Sequence, residues 1–179
     1  MDLGHLQALF DEAKRLTNHT EFVVIGSLSI LGVVGDAKIP ARMLMSIDVD
    51  CYTRRDPARI FELRGALGEA SDFQVKHGYY LDAVAPTVAT LPDGWEARLV
   101  AVKLECDIVV QFLDPNDAAV SKYARSEPRD REWIRAGLAA GLLNLQIITS
   151  RFAHTEFDSE EERASAYAAL EQDRRKTKR

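Results

Sequence analysis

A chain of 179 residues is long enough for one domain with a proper core and short for two. Hydrophobic residues make up 46%, charged residues 28%, and the net charge is −5, which fits a globular chain and excludes the basic composition of a nucleic-acid coat. No apolar run reaches the ~20 residues that span a bilayer, and the start "MDLGHLQALFDEAKRL" carries acids and no basic leader, so a cytoplasmic protein without a membrane partner is expected.

In chain order, Leu3, Leu6, Leu9, Phe10, Ala13 and Leu16 recur at helical spacing and predict an amphipathic first helix. "EFVVIG" reads as a short buried strand ending at Gly26, and "SLSILGVVGD" as a small-residue helix with Ser27 at its mouth. After a loop, "GDAKIPAR", comes a strand carrying "MSIDVDCY". Asp56 and Pro57 form an N-cap and first-turn pair for a helix through "ARIFELRGALGEA". "GYYLDAVAP" is a strand bounded by Gly78 and Pro86, and "LPDGW" has turn chemistry. "EARLVAVKL" and "CDIVVQFL" are strands joined by a hairpin at "LEC".

Asp114 and Pro115 open the helix "NDAAVSKYA", Pro128 breaks it, and "RDREWIRAGLAAGLL" resumes the helical period. "NLQIITSRF" fits helix or strand. Ser159 and Glu162 form a capping box before a last helix, and "DRRKTKR", with five basic residues in the last six, reads as a solvated tail. The expected architecture is a single α/β (α+β) domain, with a sheet core over about 20–113, a helical part over about 114–172 and a basic tail at 173–179. Cys51 and Cys106 lie in apolar runs without metal-ligand spacing, which predicts two free thiols.

Strand alternation puts Asp48 and Asp50 on one face and Ile47, Val49 and Cys51 on the other. Like charges about 7 Å apart repel unless a cation lies between them. The pair is therefore either a solvated strand face or half of a divalent metal site. Mg²⁺ or Mn²⁺ prefers hard oxygen donors, and phosphoryl or nucleotidyl transfer needs carboxylates converging on such ions. A third carboxylate on a neighbouring strand would complete the set, with Asp82 and Asp107 as the candidates. The Gly26–Ser27 corner, where strand gives way to helix, offers a place for a triphosphate; alone it would be an ordinary tight turn. His5, His19 and His154 show no ligand spacing; His77, next to the third strand, reads as a turn histidine, with an approach to the metal cleft as the alternative; Trp95 and Trp133 read as partly buried anchors, and no serine sits in a nucleophile elbow.

"VVIGSLSIL" followed by "SIDVD" resembles the Gly-Ser and Asp-x-Asp motifs of the minimal nucleotidyltransferase fold. With "HGYYLDAVAP", "LPDGWEARLV", "FLDPNDAAVSKY" and "RDREWI", residues 22–134 look like a bacterial family of nucleotidyltransferase-like proteins. That family is allied to the AbiEii-type toxins of abortive-infection toxin–antitoxin systems. The resemblance implies a mixed sheet flanked by helices, with a helical C-terminal part. It implies that Gly26 and Ser27 hold an NTP such as ATP, that Asp48 and Asp50 bind Mg²⁺ or Mn²⁺, and that Asp82, rather than Asp107, is the third acid.

A lysine and a later aspartate in the allied toxins match Lys122, as a phosphate contact, and Asp130, as its orienter or a base. The implied acceptor is tRNA or other RNA, a protein side chain or a small molecule, and the implied partner a cognate antitoxin. One departure stands out: Glu127 and Pro128 occupy the place of an expected arginine, with Arg125 or Arg129 as substitutes. It leaves open an alternative, a catalytically weak or inactive relative that works by binding a partner. Phosphodiester hydrolysis by the same carboxylates is a third reading.

Overall fold

A computed structural model describes residues 1–33 and 38–177, the side chain of Thr177 excepted. Most of the "GDAKIPAR" loop's first half, and the last two residues of the basic tail, lie outside the described residues.

Helix α1 (Leu3–Thr17) is capped by Asp2, whose carboxylate accepts the His5 N–H, and ends at Asn18 in the left-handed region at φ 59°. The middle of its predicted stripe is buried, with Leu6, Leu9, Phe10 and Ala13 inaccessible, while Leu3 and Leu16 at the two ends are exposed. Phe10 stacks on Phe22 of strand β1 (Glu21–Val24) at 4.5 Å between ring centroids. A fully buried side chain of this size contributes about 1.5–3 kcal/mol.

Among the described residues the sheet has five strands in the order β3-β2-β1-β5-β4, with β2 (Asp48–Thr53), β3 (Tyr80–Ala83), β4 (Val100–Lys103) and β5 (Val109–Phe112) around the central β1. β1 runs antiparallel to β2 and parallel to β5; β2 and β3 are parallel, and β4 and β5 form the expected hairpin. This is the mixed sheet expected of the chain. The parallel β2–β3 pairing matters most, because its register places Asp50 directly opposite Asp82.

Four local readings change, the first being that residues 96–98 of the expected strand "EARLVAVKL" belong to a 3₁₀ turn, Trp95–Arg98, so that β4 starts only at Val100. The segment after Gly26 is a six-residue 3₁₀ helix, Ser27–Gly32, rather than an α-helix. The segment after Pro57 also starts as 3₁₀ (Pro57–Leu63) and becomes α-helical only over α2 (Arg64–Leu67). Asp56 accordingly makes no side-chain cap bond, because the tighter turn moves the first amides off the geometry an N-cap serves. A short helix, α3 (Asp72–His77), capped by Ser71, was not legible from the pattern because none of its residues is buried.

The C-terminal half is helical as expected. α4 (Pro115–Arg125) is capped by Asp114 and packs against α5 (Pro128–Ala139), α6 (Leu145–Phe152) and α7 (Glu160–Thr177). "NLQIITSRF" resolves to helix because the Asn144 side chain accepts the Gln146 and Ile147 N–H groups. The capping box at α7 is half formed: Ser159 Oγ accepts the Glu162 N–H at 3.1 Å, but the Glu162 carboxylate takes the Asp158 N–H at 2.7 Å.

The end of the chain departs from the expected frayed tail. α7 continues through Thr177, and its Asp173 is buried, bonded by Tyr123 Oη at 3.1 Å and Arg131 Nη2 at 3.0 Å. Arg174, Arg175 and Lys176 then occupy the last turn, where cations suit the helix dipole. Both cysteines are free; Cys51 is buried in β2, while Cys106 is exposed in the β4–β5 turn rather than in an apolar strand. No described helix is long and apolar enough to cross a membrane.

Candidate functional site

β2 alternates as its sequence requires. Val49 and Cys51 are fully buried on one face, while Asp48 and Asp50 are half-buried on the other. Ile47 is half exposed, because it precedes the strand and escapes the covered face. β3 brings Asp82 alongside, and one carboxylate oxygen from each of Asp48, Asp50 and Asp82 lies within 4.8 Å of the others. The expected competitor, Asp107, is excluded by position. It sits in the β4–β5 turn at φ 57°, its side chain is 88% exposed, and it pairs with Lys103 at 3.6 Å.

Three carboxylates this close, without a cation between them, push one another's proton affinity up. Burial, then the charges of Asp48 and Asp82, raise the Asp50 carboxyl to about 7. Burial and Asp48 raise Asp82 as well. Asp48 is held by Ser46, whose hydroxyl donates to Oδ1 at 2.6 Å. The donor set is all hard carboxylate oxygen, which fits Mg²⁺ or Mn²⁺ and no softer metal.

The Gly26 corner is built around this cluster. Ile25 N–H donates to the Asp50 carbonyl at 2.9 Å, and Gly26 follows at φ 72°, ψ −153°. A Cβ at Gly26 would run into the Asp50 carboxylate, so only glycine lets the chain turn this close to it. Two turns of 3₁₀ helix carry little macrodipole, so the positive potential at Ser27 must come from elsewhere.

It comes from Lys122. This residue is 3% exposed on α4, and its Nζ donates to Ser27 Oγ and to Asp130 Oδ1, both at 2.9 Å. Arg125 grips the same carboxylate with two bonds of 2.7 Å. Burial lowers the Lys122 ammonium below the usual lysine range, and Asp130 partly offsets this. Burial also opposes ionisation of Asp130, but the Arg125 bonds and the Lys122 charge outweigh it and hold Asp130 below the usual carboxylate range. Trp133 completes the corner: its Nε1–H donates to the Ser27 carbonyl at 3.2 Å and its ring lies 5.0 Å from Lys122 Nζ.

These parts share one cleft of about 480 Å³, which Gly26, Ser27, Asp48, Asp50, Asp82 and Lys122 all line. Asp130 lies behind them and orients both Lys122 and Arg125. Arg125 and Arg129 also line the cleft and pair with Glu127, so cations stand in space near the position where the family's arginine was expected and this chain has Glu127. The far wall is α7, where Glu162 Oε1 accepts the Thr90 hydroxyl at 3.1 Å. The segment beyond Thr90 is tied to α4 through Asp117, which is fully buried and bonded to Arg98 at 2.9 Å and paired with Arg151 at 3.0 Å.

Sequence reasoning missed Ser46, the Trp133 link and the α7 wall. Ser46 had a signal, since it lies two residues before Asp48 with strand-like spacing. The bonds from Trp133 and Lys122 to residue 27 span about a hundred residues of sequence and leave no local pattern.

No curated protein and no solved structure matches the chain significantly. The sequence model of one family, described as "Nucleotidyltransferase of unknown function (DUF6036)", matches residues 4–179, nearly the whole chain. With its mixed sheet, its three converging aspartates and its Gly-Ser corner, the chain belongs to this nucleotidyltransferase family.

Proposed function

We infer that the protein transfers a nucleoside monophosphate from an NTP to a hydroxyl-bearing acceptor and releases pyrophosphate. One observation carries this reading: Asp48, Asp50 and Asp82 converge to within 4.8 Å on the wall of a cleft that also holds the Gly26–Ser27 corner. A bound Mg²⁺ or Mn²⁺ would supply charge to neutralise phosphate oxygens and polarise the α-phosphate.

The chain's own groups do the rest. Gly26 lets the phosphates approach the backbone, and Lys122, steadied by Asp130 and Trp133, keeps Ser27 Oγ and a positive charge facing them. The acceptor oxygen bonds to the α-phosphorus as the α–β bridging P–O bond breaks, and the electron pair leaves on pyrophosphate. The acceptor's proton passes to a carboxylate oxygen of Asp82, which lines the cleft on β3 beside Asp50.

RNA such as tRNA, a protein side chain or a small molecule can serve as acceptor. The resemblance to abortive-infection toxins supports a role in a toxin–antitoxin or defence system in the cytoplasm, with an antitoxin partner. The alternative of an inactive, partner-binding relative rested on the missing arginine, and the positions of Arg125 and Arg129 on the cleft wall weaken it.

The test is incubation with each α-labelled NTP, Mg²⁺ or Mn²⁺, and RNA or lysate from a bacterial host. Label should pass to a macromolecule or metabolite, and Asp82→Asn should lower the rate by about a hundredfold or more. Asp107→Ala should leave it unchanged. No transfer with any NTP, or equal effects of the two variants, would count against the reading.

A further inference from the structure

Helix α7 has an inward and an outward side. Ala166, Ala169, Leu170 and Asp173 are buried, and Glu162 turns towards the cleft. At 100° per residue the opposite side is centred on Glu160, Ala164, Ala168, Glu171 and Arg175, and all five are exposed. Ala168 floors a groove of about 440 Å³, rimmed by Glu171 and Arg175 on one side and by Gln172 and Lys176 on the other. Every residue that lines it belongs to α7, so the groove runs along the helix's own outer surface.

Charge is ordered along this side. Glu160 and Glu161 lie two turns before Ala168, and Arg175 and Lys176 two turns after it. The helix dipole accounts for acids first and bases last. The small side chains between them leave the backbone open to close approach, and the charged ends then select what approaches. Their present partners are local: Arg163 pairs with Glu160, and Arg175 with Glu171, both at 3.4 Å on exposed side chains. Such pairs hold weakly and exchange at little cost. A partner of one sign, such as a nucleic acid, would be repelled at one end of the stripe. A segment that runs from base to acid alongside it is attracted at both ends, and the same helix turned end for end is such a segment.

We propose that two copies of the chain pair antiparallel through α7, about a two-fold axis at Ala168. Counting outwards from that axis sets Glu161 of each copy against Arg175 of the other, and Glu160 against Lys176. The ridge of one helix lies in the groove over Ala168 of the other. Parallel pairing would instead set acids on acids and bases on bases. The stripe faces away from Glu162, so both clefts stay open, and the inference does not depend on what they catalyse. One helix pair is a small interface that rests on surface charge, so the dimer should be of micromolar strength and sensitive to salt.

The experiment is analytical ultracentrifugation of the full chain from about 5 to about 500 µM, at about 0.05 M and about 0.5 M salt. Wild type should dimerise at low salt with a Kd on the order of 10 µM, weakening about tenfold or more at high salt. Glu160→Arg/Glu161→Arg and Arg175→Glu/Lys176→Glu should each stay monomeric. An equal mixture of the two should dimerise again, because each supplies the charge that the other has lost. Ala168→Glu, at an exposed position, puts two carboxylates on the axis and should also abolish the dimer, which keeps the test valid if a doubly reversed helix fails to fold. Wild type that stays monomeric at low salt, a folded variant that dimerises as wild type does, or a mixture of folded variants that stays monomeric would each overturn the proposal.

Discussion

In the metal-free protein at pH 8, Asp50→Asn should melt roughly 10 °C above wild type, and the gain should vanish near pH 4. The Asp50 carboxyl titrates at about 7 in the folded chain, raised by burial and then by Asp48 and Asp82, against about 3.9 unfolded. Between those values the folded state holds a proton that the unfolded state has lost. The contribution of Asp50 to stability therefore falls as pH rises from about 4 to about 7 and stays constant above, by about 4 kcal/mol in all. Asparagine keeps the shape and removes the charge. Adding Mg²⁺ at pH 8 should raise the melting temperature of wild type and leave the variant where it was. Melts in EDTA across this pH range check the claim; a difference that does not depend on pH would refute the electrostatic cause.

Gly26→Ala should be the most damaging single substitution at the corner, costing about 3 kcal/mol or more and abolishing metal-dependent nucleotide binding. Two effects add. The backbone at φ 72°, ψ −153° is open essentially to glycine alone, and the new Cβ would drive into the Asp50 carboxylate. A double-mutant cycle separates them. In an Asp50→Ala background the clash is largely relieved while the strain stays, so the second Gly26→Ala step should cost less than the first. Denaturant unfolding of the four proteins measures this, and strict additivity would show that the carboxylate is not what the glycine accommodates.

That same close approach shows why parts of the site could be read without coordinates. Asp48 and Asp50 follow from strand alternation, and Gly26 and Ser27 from a strand–turn–helix pattern. The choice of Asp82 over Asp107 followed from the resemblance, and its cause is the β2–β3 register, which sets Asp82 opposite Asp50. Local pattern could not distinguish 3₁₀ from α after Ser27 or Pro57, because both present the same apolar spacing over so few residues.

The C-terminal contribution was legible as residue types but not as geometry. Lys122 and Asp130 look like surface residues in sequence, and only packing shows them 3% and 1% exposed and bonded to each other. Asp173 is the clearest case. It stands at the head of a basic run that reads as a tail, yet Tyr123 and Arg131 draw it into the helical core.

The account turns on whether the three aspartates hold a metal that brings an NTP into the cleft. Calorimetric titration of ATP, CTP, GTP and UTP into wild type and an Asp48→Ala/Asp50→Ala variant, with and without Mg²⁺ or Mn²⁺, tests this most directly. Saturable binding of at least one NTP that requires the metal, and at least a hundredfold loss (about 2.7 kcal/mol) in the variant, is the predicted result. Wild type that binds no NTP with either metal, or a variant that binds as well as wild type, would contradict it.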